Sequence, residues 1–417
     1  MSMMDIERIP SRQHSGALSM ANPYFKLFNA PGSKAFSSAG LIARLPVSMT
    51  GIGIITMLSQ VRGSYWLAGA VAATFAFSMA LLAPQIARAA DRHGQSRVLP
   101  YATGISAIAL LLLLFCTHYR APDWTLFVFA ALAGGMPSIS AMVRARWSEI
   151  YRGTPQLHTA FSFESVLDEV AFIVGPPIAV GLSVSLFPEA GPLVAALLLV
   201  AGVAAFAAQK STQPPVYAHN NQRQRAILTM PSMQILVLAL IALGTIVGTV
   251  DVISVAFAEQ QGQPAAASIV LSVYAFGSCL AGLIFGAMKI PVPLPRLFLY
   301  AAFATAFTTL PLLWVHNVLT LAASMFVAGL FFAPTMIVAM GLVENIVPPS
   351  RLTEGLTWMV TGLGIGVALG AALAGLAIDA AGITAGFGVT LTAGLVVLLV
   401  AAGGYRLMQR TLALKAA

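Results

Sequence analysis

The stretch AADRHGQSR, residues 89–97, sets Asp91, Arg92, His93 and Arg97 almost side by side in a 417-residue chain that is only 9% charged. Long apolar runs flank it on both sides. A helix needs about 20 apolar residues to cross the hydrocarbon core of a bilayer. A tight knot of charge between two such runs therefore reads as a short loop joining two membrane-spanning helices.

The rest of the chain agrees. It is 58% hydrophobic with a mean hydropathy of +0.86, whereas soluble chains carry about 25% charged residues. Twenty-two Lys and Arg and 14 Asp and Glu are too few to cover a soluble protein of this size. The fold class is all-α and integral to a membrane. Cys116 and Cys279 both lie in apolar runs and read as small buried hydrophobes, neither a disulfide framework nor a metal site. No apolar segment followed by a small-residue cleavage site precedes residue 37, so no cleaved signal peptide is expected. Within that lead-in, ANPYFKLFNAPGSKAF (residues 21–36) reads either as a stretch lying on the membrane surface or as a disordered tail.

Twelve candidate spans follow, near residues 37–60, 65–88, 98–117, 124–145, 159–184 and 190–208, then 231–256, 266–288, 296–315, 317–341, 355–378 and 385–407. The basic residues orient them. With the N-terminus in the cytoplasm, Arg8, Arg12, Lys26, Lys34, Arg88, Arg92, Arg97, Arg144, Arg146, Arg152, Lys210, Arg223, Arg225, Lys289, Arg296, Arg351, Arg406, Arg410 and Lys415 all fall inside. Only Arg62 and Arg120 fall outside. Both termini are expected in the cytoplasm of a multi-pass cell-membrane protein, with a bacterial inner membrane as the expected setting. The net charge of +8 follows from this asymmetry and requires no nucleic-acid partner.

The polar, proline-containing stretch KSTQPPVYAHNNQRQRA from Lys210 falls midway and divides the chain. The expected organisation is a cytoplasmic tail (1–36), a six-helix bundle (37–208), a cytoplasmic linker (209–230), a second six-helix bundle (231–408) and a cytoplasmic tail (409–417). GGMPSIS and FFAPTMI, with Pro137 facing Pro334, suggest a parallel repeat, as do Thr159 with Thr353 and Gly181 with Gly375. Two such halves, related by an axis along the membrane normal, are a transporter architecture.

On this topology AADRHGQSR is the loop between spans 2 and 3, and here the chain resembles the major facilitator superfamily. That family marks the same loop with a Gly-x-x-x-Asp-Arg-x-Gly-Arg-Arg type of pattern. Asp91, Arg92, Gly94 and Arg97 match it, whereas Ala87, Gln95 and Ser96 depart from it. The resemblance implies twelve helices in two pseudo-symmetric six-helix bundles that work by alternating access. It also implies that spans 2 and 11 meet across the halves. Asp91 would then dock on the N-terminus of span 11 near Glu354, where free N–H groups carry partial positive charge. Arg92 and Arg97 could pair with Glu354 or Glu149, or these charges could serve only to set topology. Arg144 and Glu344, at the inner ends of spans 4 and 10, read as gate or topology charges. In span 11, Gly362, Gly366 and Gly370 repeat every four residues on one face, which permits close backbone approach. Such a smooth face fits rocking of the halves or ordinary packing.

Ionisable groups inside spans are costly and are functional candidates. Arg44 lies about 10 Å into span 1, and Asp168 and Glu169 roughly 13–15 Å into span 5, at 1.5 Å per residue. The similar depths point to a pair between Arg44 and one of these carboxylates. Neighbouring helix positions diverge by about 100°, so the other would face the central cavity. Asp251, near the outer end of span 7, is either a proton or cation site or a water-exposed interfacial carboxylate. Gly175 and Pro176 resemble the Gly-Pro core of the span 5 motif in the family's proton-driven exporters. Ala171, Ala179 and Val180 replace its flanking glycines.

There is no phosphate loop, zinc helix or nucleophile turn, so neither an enzyme nor a cofactor is expected and protons are the expected coupling ion. The resulting expectation is a monomeric proton-coupled antiporter in the lipid bilayer, exporting a small organic compound or drug. A proton-coupled uptake symporter and a non-transporting receptor or scaffold are the alternatives.

Overall fold

A computed structural model describes residues 23–63, 65–216, 227–263, 266–288 and 290–416. Most of the N-terminal tail, with Arg8 and Arg12, lies outside the described residues. So do Arg223 and Arg225 of the linker, Lys289 and the final Ala417.

The chain is all-helical among the described residues. In the first half, a short α1 (Pro23–Leu27) precedes α2 (Ser33–Arg62), α3 (Tyr65–His93), α4 (Gln95–His118), α5 (Asp123–Ala133), α6 (Ile139–Tyr151), α7 (Gln156–Ser185) and α8 (Ala190–Ala208). The second half contains α9 (Pro231–Gln260), α10 (Ala266–Ala287), α11 (Leu294–Phe307), α12 (Val318–Ile346), α13 (Leu352–Ala381) and α14 (Ile383–Ala416). Among the described residues, eleven stretches are helical, long and apolar enough to span a bilayer, one of them made of α11 and a following 3-10 turn, Leu310–Trp314. The twelfth, fourth in order, is broken into α5 and α6. The result is two six-helix bundles. Most helices outrun their apolar stretches by several residues, because the polar turns at their ends stay helical.

The break has a local cause. Gly134 and Gly135 precede Pro137, which has no N–H to give to a helix. A side chain at Gly134 would sit 2.7 Å from the Phe75 carbonyl of α3, so only glycine allows α5 to come this close. Ser106 Oγ donates to the Ala133 carbonyl left free where α5 stops. The corresponding Pro334 follows Phe331, Phe332 and Ala333 instead of a glycine pair, and α12 runs through it unbroken. α7 is likewise continuous through Pro176 and Pro177.

The glycine face of α13 packs inside its own half. A methyl at Gly366 or Gly370 would run into the Ile241 or Thr245 carbonyl of α9, and Gly362 faces Val237. From the other side Gly244 and Gly248 of α9 press on α13 in the same way. Thr249 Oγ1 also donates to the Gly370 carbonyl at 3.3 Å. Of the two readings of this face, ordinary packing is the one the structure shows: these glycines press two helices of one bundle together.

Candidate functional site

Four charges from three helices of the first half, three of them buried and Asp168 partly so, form one cluster. Arg44 on α2 is buried, and Arg144 on α6 and Glu164 on α7 are fully so. Arg44 forms an ion pair with Glu164 and another with Asp168 at 2.9 Å. Arg144 reaches the second oxygen of Asp168 at 2.8 Å. Ser140 Oγ donates to Asp168, and the Trp147 indole N–H donates to Glu164 at 2.7 Å. Two cations and two anions cancel, and every carboxylate oxygen has a donor. That arrangement offsets the desolvation that makes buried charge costly.

Two expectations change here. Arg144 is not a charge at the end of its span. α6 runs on to Tyr151, so Arg144 lies two turns inside the helix and faces Asp168. Glu164, assigned no role from sequence, supplies half of the negative charge. Trp147 and Ser140 were not legible as members, because their part depends on how α6 turns after the break.

Asp168 and Glu169 diverge as adjacent helix positions must. Asp168 faces the arginines. Glu169 crosses the boundary between the halves and accepts from Ser278 Oγ on α10 at 3.2 Å. It forms no ion pair with any described residue. Tyr274, one turn earlier on α10, is buried. Asp251 is exposed on α9, with no ion-pair partner among the described residues. Gly175 lets α7 meet α2, since a methyl there would collide with Ser48.

The residues of the opening motif lie at one end of the molecule, called here the Asp91 end. Asp91 accepts from the backbone N–H of Glu354 at 2.9 Å. The first residues of α13 have no intrahelical acceptor for their N–H groups, so this carboxylate caps the helix and complements its dipole. Gly94, at φ 90°, makes the turn into α4 and leaves room for Gln213 of the linker. Glu354 is fully buried. It binds Arg88 at 2.8 Å and Arg351 at 2.7 Å.

The expected partners Arg92 and Arg97 are thus corrected. Arg88 lies three positions before Asp91, on the same face of α3, whereas Arg92 and Arg97 point outward and are exposed. Glu149 pairs with Arg152 at 3.1 Å. Arg152 also reaches Glu344 of the other half at 4.0 Å, so Glu344 does lie at the boundary.

Comparison with known proteins now bears on this geometry. The sequence model of the Major Facilitator Superfamily matches residues 36–262 and 235–415. No curated protein is similar enough to match. Among solved structures, the chain is similar to a bacterial homologue of the iron transporter ferroportin in an outward-facing state with soaked iron. The TM-score is 0.72 at 13% identity, covering 89% of this chain and 98% of that one. It is similar to the human organic anion transporter MFSD10, with a TM-score of 0.68 at 12% identity, covering 89% of this chain and 100% of that one. It is also similar to the E. coli fucose:proton symporter FucP, with a TM-score of 0.65 at 13% identity, covering 88% and 97%. At these identities the likeness is one of fold. With the family model spanning both bundles, the chain belongs to the Major Facilitator Superfamily, a family of membrane transporters and not of enzymes.

Proposed function

We propose that the protein is a proton-coupled antiporter that exports a small organic compound by alternating access, with its Asp91 end in the cytoplasm. The observation that carries this reading is the contrast between two adjacent carboxylates. Asp168 is met by two arginines and belongs to the scaffold. Glu169 sits in mid-span at the boundary between the halves, with a serine hydroxyl as its partner. A carboxylate without a cation is costly inside a membrane. Taking up a proton removes the charge, and rearrangement of the halves changes the carboxylate's surroundings. Proton binding and alternation are then linked at one side chain, with Asp251 as the second candidate to take the proton or meet a cationic substrate. The Gly175-Pro176 pair is in keeping with export, and the positive-inside pattern with the orientation. Closure of the Asp91 end then corresponds to an outward-facing arrangement in the cell membrane.

The test is proton flux in everted vesicles holding the full chain, with an inside-acid gradient followed by a pH-sensitive dye. Collapse of the gradient on adding a cationic, neutral or anionic compound, lost in Glu169→Gln, supports antiport and identifies the substrate class. The fold is shared with a symporter. If the same compound instead carries protons inward with it in right-side-out vesicles, the activity is uptake and the export reading fails.

A further inference from the structure

The halves are also joined at the end of α10, by neutral groups. α10 ends at Ala287, so its last carbonyls lack intrahelical partners. Side chains from the first half take up carbonyls there. Thr159 Oγ1, on α7, donates to the Gly286 carbonyl at 2.7 Å. The His158 ring lies with Nε2 2.9 Å from the Phe285 carbonyl. A carbonyl only accepts, so that nitrogen carries the proton. The Tyr24 hydroxyl, on α1, donates to the Leu283 carbonyl one turn back.

The α1 segment is anchored to the first half. Leu27 is fully buried, and Tyr151 donates to its carbonyl at 2.8 Å. Phe28 packs edge-on against Trp147 at 6.1 Å and against Phe163 at 5.4 Å. From this anchored segment Tyr24 reaches across to the second half. The approach also needs Gly286: a methyl there would collide with Ser162 of α7 and lie 2.7 Å from the Tyr24 oxygen.

We propose that Tyr24, His158 and Thr159, capping the end of α10, form a second clasp that holds the Asp91 end closed independently of Asp91 and must release before that end opens. The Asp91 contact ties α3 to α13, whereas this one ties α1 and α7 to α10, so neither substitutes for the other. The segment before the first span becomes a moving part of the gate. The inference depends neither on the coupling ion nor on the direction of transport.

Spin labels at His93→Cys and Pro349→Cys, both exposed positions away from the second clasp, report the opening of this end in full-length protein in lipid nanodiscs. The background carries Cys116→Ser and Cys279→Ser. Each lost hydrogen bond raises the ratio of open to closed protein roughly fivefold, and Tyr24→Phe with Thr159→Val together roughly 25-fold. The shift is read in the native and the Asp91→Asn backgrounds, so that both populations are visible. Gly286→Ala acts in the same direction by wedging. Thr159→Ser keeps the hydroxyl and restores closure, which a general loss of folding would not do. Tyr24→Phe removes a single peripheral oxygen and leaves the fold intact. An unchanged distance distribution in the Tyr24→Phe, Thr159→Val double variant, in both backgrounds, overturns the clasp.

Discussion

The carboxylate of Asp91 and the backbone N–H of Glu354 meet at 2.9 Å across the two halves. A charge on one bundle closes the end of a helix on the other. The Glu354 side chain then turns back to Arg88 on α3, one turn before Asp91. Backbone and side chain of one residue thus face the same helix of the opposite half.

This contact is expected to set the balance between closed and open states. Charge at a helix N-terminus contributes up to ~2 kcal/mol in partly buried geometry. Asp91→Asn is expected to raise the open fraction at this end by up to roughly thirtyfold. Double electron–electron resonance between labels on α3 and α13 measures it. An unchanged distance distribution would remove Asp91 from the gate.

The buried quartet responds differently to single and double changes. Arg44→Ala leaves Glu164 short of its cation and Asp168 with one arginine. A broken buried pair costs about 3–5 kcal/mol, so the variant is expected to lose most of its folded yield. Glu164→Gln combined with Arg44→Gln removes one charge of each sign and is expected to recover part of it. Thermal unfolding in detergent compares them, and equal losses in both would show that charge balance is not what holds this cluster.

Glu169→Gln keeps the shape of the side chain and removes its titration. Transport by this variant is expected to persist only as exchange driven by the substrate gradient, with no response to pH. Ser278→Ala retains the carboxylate and should keep the pH response. Transport rates from pH 5.5 to 8.5 separate the two. A normal pH profile in Glu169→Gln moves the coupling to Asp251.

Gly366→Leu forces four carbons into a space where even a methyl meets the Ile241 carbonyl. Overpacking of this kind typically costs 1–3 kcal/mol or more. The expected result is a large loss of folded protein. Gly364→Leu, at a glycine with no neighbour in reach of a side chain, should cost little. Size-exclusion profiles of the two variants report the difference.

The span count and the two-bundle division were legible because each rests on local sequence, apolar length and loop charge, whereas the Asp91 contact followed from the family resemblance that brings spans 2 and 11 together. Depth alone pointed Arg44 to Asp168 or Glu169, and the structure selects Asp168. What stayed hidden depends on rotation about a helix axis. Arg88, not Arg92, faces Glu354, and Arg144 looks inward because α6 starts afresh after the Gly134–Ser138 break. Hydropathy smooths over both. The contacts of Tyr24, His158 and Thr159 are with main-chain carbonyls, which every sequence possesses, so no side-chain pattern marks them.

The buried quartet also constrains how the protein is made. Arg44 and Glu164 are 120 residues apart. At about 5–20 residues per second, the ribosome needs roughly 6–24 s to deliver the carboxylate after the arginine. For that time α2 carries a lone guanidinium that the hydrocarbon rejects. Full burial of Arg44 on α2 therefore follows the arrival of α7. The final seating of α2 is then a docking step that follows the synthesis of α7.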